Sequence, residues 1–263
     1  MHFVLSDTYE SLRDMILSIP STFSTSGVVI HDARNQIRVI KLPNGQLLNI
    51  KRFHKPSFIN QLVYTFIRPS KAQRAYENGL LLQQQGIPTP QVVGYIESKT
   101  PLLQESYLIT IHERLRHRFY ELRYYPAQEY QDVIRQFAQL MARMHSLNIL
   151  HLDLSPGNIL FDRQADGQVI FSIVDINRIR YGTPISRKEA CRNFCRLWGH
   201  MDVMEILSRE YAAARGWDEQ ETRNLIIKYW KQFWHIRTQA DIDALFDPAL
   251  GRELLTNPLN DLD

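Results

Sequence analysis

One short segment of the sequence, HLDLSPGNILF at residues 151–161, combines an acid, an amide and a histidine with a Pro-Gly pair. The Pro-Gly pair is enough to make a turn, so the turn does not explain Asp153 and Asn158. Asp153 can receive or orient a hydroxyl proton, and Asn158, five residues later, can reach a metal ion. His151 is more typical of a core histidine that braces the segment, and we assign it no chemical role.

A second carboxylate, Asp175, ends the apolar stretch FSIVD, which follows an Asp166-Gly167 turn. The predicted hairpin can bring Asp175 back beside Asn158. Oxygen ligands from an Asn and an Asp, with phosphates completing the shell, are the set that Mg²⁺ prefers. The sequence therefore predicts Asn158 and Asp175 as ligands of Mg²⁺ or Mn²⁺.

A cation and its partner are predicted in the N-terminal half. Lys51 ends the third predicted strand, where it can reach phosphate oxygens, and Glu77 on the following helix is placed to hold Lys51 by an ion pair. Arg52 is an alternative to Lys51, because neighbouring residues of a strand point to opposite faces. Alternation alone does not say which face meets the ligand.

These elements follow one another in the order found in protein-kinase-type phosphotransferases: strand Lys, helix Glu, an H-x-D-x-x-x-x-N loop and a metal-binding Asp. Each is common by chance, whereas all four in order predict a kinase-like fold. Three departures argue against a regulated protein kinase. No G-x-G-x-x-G joins the first two strands, Ser155 replaces the usual Lys, and Ile176-Asn177 follows Asp175 in place of Phe-Gly.

The elements that must position these residues differ between the two halves of the chain. A helix at 7–18, ending before Pro20, is expected first. Five strands and one long helix follow, with strands at 27–31, 36–42, 46–53, 91–97 and 107–111 and the helix from about Ser70 to Gly86. The second half predicts a one-sided helix within 126–147, the hairpin, and helices after Ser186. The prediction is a bilobal α+β fold, with a mainly antiparallel, nucleotide-binding N-lobe at 1–111 that contains one key helix. A mainly helical C-lobe at 112–263 carries the catalytic loop and the metal site.

Composition is that of an ordinary globular protein, with 44% hydrophobic and 22% charged residues among 263. The N-terminus lacks the pattern of a secretory signal, and no apolar run approaches the roughly 18 residues needed to span a bilayer. Cys191 and Cys195 match no zinc signature. The simplest expectation is a cytoplasmic protein.

Four segments resemble the lipopolysaccharide kinase (Kdo/WaaP) family, whose members phosphorylate inner-core sugars. They are NIKRFHKP, SKAQRAYENGLLLQQQGIPTPQVVGYIE, HLDLSPGNILF, and VDINRIRYG followed by RKEACRNFCRLW. The resemblance implies ATP as donor and either Kdo, the acidic sugar on lipid A, or a core heptose as acceptor. By the same resemblance Asp153 is the catalytic carboxylate, Asn158 and Asp175 are the metal ligands, and Lys51, rather than Arg52, contacts nucleotide phosphate with Glu77 as partner. The missing glycine loop is unsurprising for this family.

Charge is unevenly distributed, because residues 33–76 carry nine Lys or Arg and no acid, while the C-terminal end is acidic. This asymmetry predicts an anionic partner. The stretch KRFHKPSFINQLVYTFIRPSKAQR interleaves cations with apolar residues, as in elements that lie on an anionic membrane or grip lipid phosphates. The alternative is a helix that packs its apolar stripe on its own lobe. No nucleic acid is expected, because no recognition motif accompanies the charge.

Three classes of function remain open. The first, which we favour, is a kinase that phosphorylates Kdo on a lipid A-linked saccharide at the cytoplasmic face of the inner membrane, with a core heptose kinase as the variant. The second is a protein kinase or an aminoglycoside-type kinase, and the third a non-catalytic pseudokinase, which the complete residue set disfavours. Arg178 is a candidate for holding the acceptor or a phosphate, since a guanidinium can grip a carboxylate bidentately. An internal ion pair is the alternative for Arg178.

Overall fold

The chain folds into two compact units. The computed structural model describes residues 1–33, 35–238 and 240–242. The first unit comprises Met1–Arg114 and Asp175–Asn177, and the second comprises Leu115–Val174 and the described residues from Arg178 onward. The sequence predicted a division between residues 111 and 112, and the nucleotide-binding and catalytic roles of the two parts stay predictions.

The first unit is built on one six-stranded sheet. Its strands are β1 (His2–Leu5), β2 (Val28–Asp32), β3 (Asn35–Lys41), β4 (Leu47–Phe53), β5 (Val92–Lys99) and β6 (Leu103–Ile111). Every pairing in the sheet is antiparallel, and the strand order is β1-β5-β6-β4-β3-β2. The predicted strands are present, whereas β1 was not foreseen, because four residues carry too little pattern to be recognised.

The β3–β4 hairpin fixes the position of Lys51. Gly45 has a φ of +82°, the left-handed conformation that its tight turn requires. The register then places Lys41 opposite Leu47 and Lys51 opposite Ile37. On the other side of β4, Lys51 faces Leu108 of β6. Lys51 is therefore held in an interior strand of the sheet.

Three helices accompany the sheet: α1 (Arg13–Thr22), α2 (Phe58–Phe66) and α3 (Lys71–Gln84). The prediction that the first helix ends before Pro20 is wrong, because Pro20 lies inside α1. The missing N–H of Pro20 costs the helix one hydrogen bond. Burial of Ile16, Ile19 and Phe23 in the core of this unit offsets that cost.

The second unit is mainly helical. Its helices are α4 (Gln131–Ser146), α5 (Arg187–Asn193), α6 (Met201–Arg215) and α7 (Glu219–Trp234). Its short strands are β7 (His117–Arg118), β8 (Leu150–His151), β9 (Ile159–Arg163), β10 (Val169–Ile173) and β11 (Ile179–Arg180). The predicted one-sided helix is α4, which buries Val133, Phe137 and Met141 along one stripe.

The remaining predicted elements of this unit are also found. The hairpin at Asp166-Gly167 joins β9 to β10, with Gly167 at a φ of +84°. Helices follow Ser186, which caps α5 through its hydroxyl. The acidic residues Asp243, Asp247, Glu253, Asp261 and Asp263 lie outside the described residues, as does Arg34.

The predicted α+β class is confirmed by this combination of an antiparallel β unit and a helical unit. In the described ranges, no helix is both long and apolar enough to cross a bilayer.

We expect Gly94→Ala to destabilise the protein by about 1–3 kcal/mol, the usual cost of overpacking. A Cβ at Gly94 would lie 2.4 Å from the backbone oxygen of Val4, so β1 would have to move away from β5. Urea denaturation measures the change. Gly157→Ala is the matched control, because a Cβ there meets open space and the backbone is not left-handed. Equal stability of both variants would contradict the close approach of β1.

Candidate active site

The carboxylate of Asp153 is held between two guanidinium groups in the second unit. Arg196 Nη1 donates to Oδ1 at 2.8 Å, and Arg178 Nη1 donates to Oδ2 at 3.2 Å. The Asp153 side chain is a quarter exposed, so it can meet a solute while both of its oxygens are oriented. Sequence reasoning proposed Arg178 for this region, with an internal ion pair as alternative, and the structure contains that ion pair. It missed Arg196.

Local pairing brings Arg178 to Asp153. Strand β8 pairs antiparallel with β11, with His151 opposite Ile179. One residue further along, the N–H of Leu152 donates to the carbonyl of Arg178 at 2.8 Å. The backbone pairing of β8 with β11 therefore brings Asp153 and Arg178 next to each other at the end of these two short strands.

Arg196 comes from a different part of the same unit, the helical turn Phe194–Arg196 that follows α5. Its guanidinium lies over the ring of Phe233, with 5.3 Å between the guanidinium carbon and the ring centroid. Stacking on an aromatic face restricts the long side chain. The segment RKEACRNFCRLW was conspicuous in the sequence, but its spacing gives no signal that Arg196 in particular meets Asp153.

His151 braces the loop, as expected of a core histidine. It is fully buried, its Nδ1 accepts the N–H of Asp153 at 3.1 Å, and its Nε2 lies 3.3 Å from the carbonyl oxygen of Val174. A ring that accepts at Nδ1 must donate at Nε2, so this geometry assigns the neutral tautomer protonated at Nε2. The imidazole thus fixes the backbone of Asp153.

A second layer of polar contacts supports His151. Asn193 Nδ2 donates to the carbonyl of His151 at 2.7 Å, and its Oδ1 lies 3.1 Å from His145 Nε2. His145 Nδ1 in turn lies 2.7 Å from the hydroxyl of Tyr211. Burial lowers the pKa of His145 to about 4, so this ring is neutral at pH 7, donating to Asn193 and accepting from Tyr211.

Asn158 closes the loop. Its Nδ2 donates to the backbone carbonyl of Asp153 at 3.1 Å. The backbone carbonyl of Asn158 accepts the N–H of Val174 at 2.9 Å. Within the part of the chain that the structure describes, Asn158 Oδ1 makes no hydrogen bond, which leaves this oxygen for a ligand.

The first unit holds Asp175 and Lys51 together. Lys51 Nζ donates to Asp175 Oδ1 at 2.5 Å, and Asn177 Nδ2 donates to the same oxygen at 2.6 Å. Asp175 has a φ of +56°, a left-handed conformation that Asp tolerates better than most residues. Strained backbone of this kind concentrates at functional sites.

The predicted ion pair between Lys51 and Glu77 is wrong in this structure. Helix α3 buries Asn78, whose Nδ2 donates to the carbonyl of Ile176 at 2.7 Å. Successive helical residues point about 100° apart, so Glu77 is turned to solvent, where its Oε1 accepts from Gln73 at 2.9 Å. Lys51 pairs with Asp175 instead.

Arg52, the alternative cation, makes its contacts with residues on its own face of the sheet. Its Nη2 donates to Gln36 at 3.3 Å, its Nη1 lies 3.9 Å from Glu105, and its guanidinium stacks on Phe23 at 4.8 Å. Lys51 points to the opposite face. Of the two cations, it is Lys51 that meets a predicted site residue.

Asn158 in the second unit and Asp175 in the first unit each carry an oxygen donor of the kind that a hard divalent cation prefers. Asn158 offers an amide oxygen and Asp175 a carboxylate, and Mg²⁺ is commonly bound through one or two such groups plus phosphates and water. In residues 1–33, 35–238 and 240–242, no group of three or more His, Cys, Asp or Glu side chains is gathered as a metal site. A divalent cation held by either residue would need phosphate oxygens to complete its coordination.

Comparison with known proteins decides the family. The model of the lipopolysaccharide kinase (Kdo/WaaP) family matches residues 48–229, more than half of the chain. The chain belongs to this family. The matched range of this Kdo/WaaP family member contains all six predicted site residues and Arg196. Membership makes the protein a phosphotransferase of the lipopolysaccharide kinase type.

A solved structure supports the same fold. The structure described as "WaaP in complex with acyl carrier protein" has a TM-score of 0.61 to this Kdo/WaaP family member, at 14% identity, covering 89% of this chain and 100% of that chain. At this identity the likeness shows the fold alone, which confirms the predicted kinase-like class. No curated protein matched the sequence.

We expect the free energy of unfolding to fall by up to about 3 kcal/mol as pH drops from 6.5 to 4, because of His145. Its pKa is about 4 when folded and about 6.5 when unfolded, so between these values the unfolded state binds more protons. The contribution of the neutral His145 ring to stability is fully present above pH 6.5 and is lost as the pH falls to 4. Urea titrations across this range measure it, and the curve of His145→Gln should be flatter by that amount. Parallel pH curves for the two proteins would remove His145 as the cause.

Proposed function

We propose that the chain transfers the γ-phosphoryl group of ATP to a hydroxyl of Kdo on a lipid A-linked saccharide. The observation that carries the proposal is the Asp153 carboxylate, oriented by Arg178 and Arg196 at the H-x-D-x-x-x-x-N loop of a lipopolysaccharide kinase family member. The acceptor is the finer part of the proposal, and a core heptose is its alternative.

Asp153 is proposed to position the acceptor hydroxyl and receive its proton. Each carboxylate oxygen accepts one guanidinium N–H and retains acceptor capacity for a hydroxyl. The two arginines restrict rotation of the Asp153 carboxylate, and the hydrogen bond from the Asp153 N–H to His151 fixes the backbone that carries it. Positioning of this kind is most of what a phosphotransferase contributes.

Lys51, Asn158 and Asp175 are proposed to handle the nucleotide. Lys51 supplies a cation for phosphate oxygens, and Asn158 Oδ1 and the Asp175 carboxylate supply oxygen ligands for Mg²⁺ or Mn²⁺. When bound, the divalent ion would neutralise charge on the transferring phosphate. The Lys51–Asp175 ion pair supports this assignment, because it keeps both charges compensated until a cation and phosphates are present.

The two arginines favour an acidic acceptor. A guanidinium has five N–H donors, and the hydrogen bonds to Asp153 use one from each. Both side chains are about half exposed, so their remaining donors are accessible to a second carboxylate. Kdo carries such a group and heptose does not, which supports Kdo.

We expect Asp153→Asn to lower kcat by a factor of about 10²–10⁴, the usual contribution of a positioned acid–base group. The amide keeps the size of the side chain but neither accepts a proton nor pairs with both arginines. Transfer of label from radioactive ATP to Kdo-lipid A measures the loss. Asp166→Asn is the control, because Asp166 only accepts a backbone N–H in an exposed turn. Wild-type turnover by Asp153→Asn would remove Asp153 from the mechanism.

We expect Arg196→Lys to reduce kcat/KM for Kdo-lipid A by roughly 10–100-fold, since a charged hydrogen bond contributes about 1.5–3 kcal/mol. The loss should be much smaller with an acceptor whose Kdo carboxyl has been reduced to an alcohol. Arg192→Lys is the control, because Arg192 is exposed and makes no ion pair in the described ranges. Equal losses on both acceptors would assign Arg196 to Asp153 alone. Phosphorylation of a heptosylated core but not of Kdo-lipid A would select the heptose alternative.

A further inference from the structure

Helix α2 exposes its apolar side and buries a polar one. Phe58 is 67% and Phe66 74% exposed, whereas Gln61 is only 6% exposed. At about 100° per residue, the side chains of Phe58, Ile59, Leu62 and Phe66 fall within about 100° of arc. Ile67, just beyond the helix, is also exposed. The apolar stripe therefore does not pack on the first unit. This excludes the alternative, left open by the sequence, of a helix whose apolar stripe packs on its own lobe.

The polar side of α2 fastens the helix to its unit. Gln61 Nε2 donates to the carbonyl of Pro56 at 2.9 Å, and the N–H of Leu103 donates to the Thr65 hydroxyl at 3.0 Å. Anchoring of this kind fixes the direction of the apolar stripe. An exposed stripe of large apolar residues is typical of an interaction surface.

Cations lie at both ends of the stripe. Lys55 precedes α2 and Arg68 follows it, and both are exposed without an ion pair among the described residues. Beside the first turn lies a cavity of about 260 Å³ whose lining includes His54, Lys55 and Lys71 and contains no acid. Ser57, Asn60 and Tyr64 add polar groups to the same wall. The cavity matches the chemistry of a phosphate headgroup.

We propose that this surface, α2 with Lys55, Arg68 and the adjoining cavity, docks the protein on an anionic phospholipid bilayer. A large apolar stripe flanked by cations has the two attractions that hold a helix at such an interface, acyl-chain contact and headgroup charge. The inference extends the proposed function, whose acceptor is linked to lipid. Docking and catalysis are nevertheless separable, because none of these residues belongs to the site of Asp153.

Vesicle sedimentation tests the proposal without substrate or nucleotide. The wild-type chain should sediment with vesicles of phosphatidylglycerol and phosphatidylcholine and bind much less to phosphatidylcholine alone. Rising salt should weaken the binding, because the Debye length falls from about 8 Å at physiological ionic strength. A wild-type chain that stays in the supernatant with anionic vesicles overturns the proposal, and the surface would then serve another partner such as an acidic protein.

Two substitutions separate the two attractions. Phe66→Ser should lower the partition coefficient roughly tenfold or more, since it removes a large apolar group from the interface. Lys55→Gln should lower it about fivefold, in line with the contribution of one cation near an anionic surface. The matched controls are Ile170→Ser, an apolar residue 40% exposed on β10, and Lys228→Gln on the exposed face of α7. A control that loses as much binding as its partner variant would refute the assignment to α2.

Kinase assays distinguish this proposal from the proposed function. Phe66→Ser should keep wild-type turnover on a water-soluble, deacylated acceptor and lose it on the same saccharide embedded in vesicles. Vesicle binding by a protein without kinase activity would leave the docking surface standing and overturn the proposed reaction. Equal losses by Phe66→Ser on both acceptors would show damage to the fold and contradict the docking role.

Discussion

A single carboxamide, that of Asn193, holds the loop on which the candidate site depends. It donates to the carbonyl of His151 and accepts from His145, whose other nitrogen meets Tyr211. One amide therefore ties the segment between α4 and α5 to α4 itself and, through Tyr211, to α6. Polar groups in a dry interior are costly when unpaired, so this chain of bonds permits few arrangements of the loop. This restriction fixes the position of Asp153.

The elements that could be predicted from sequence are those whose cause is local. The hairpins at Gly45 and Gly167 follow from glycines in left-handed conformations, and α4 follows from a stripe of apolar residues at helical spacing. The loop of His151, Asp153 and Asn158 was recognisable because a turn alone does not need those side chains. Each of these signals lies within about 25 residues of chain, where backbone geometry and residue type are tightly linked.

Side-chain partners were less predictable, because they depend on how elements rotate against one another. Glu77 and Asn78 are neighbours on α3, yet packing buries Asn78 against Ile176 and turns Glu77 to solvent. Lys51 pairs instead with Asp175, a residue 124 positions away. Arg196 reaches Asp153 across 43 positions. No periodicity in the sequence encodes such distances, so type and order indicated the chemistry while the pairings needed the structure.

The number of cations in the sequence overstates how many of them are available to a partner. Nine cations without an acid in residues 33–76 suggested one broad anionic partner. Several of them are already used inside their unit: Arg38 donates to the carbonyls of Ser24 and Ser26, Arg52 faces Glu105, and Lys51 holds Asp175. The donors of these side chains are engaged by partners within the protein, so they are not available for hydrogen bonds to an external anion. In the docking proposal, the attraction for an anionic surface comes from the exposed Lys55 and Arg68 at the two ends of α2. The apolar stripe between them gives that attraction a direction that charge alone lacks.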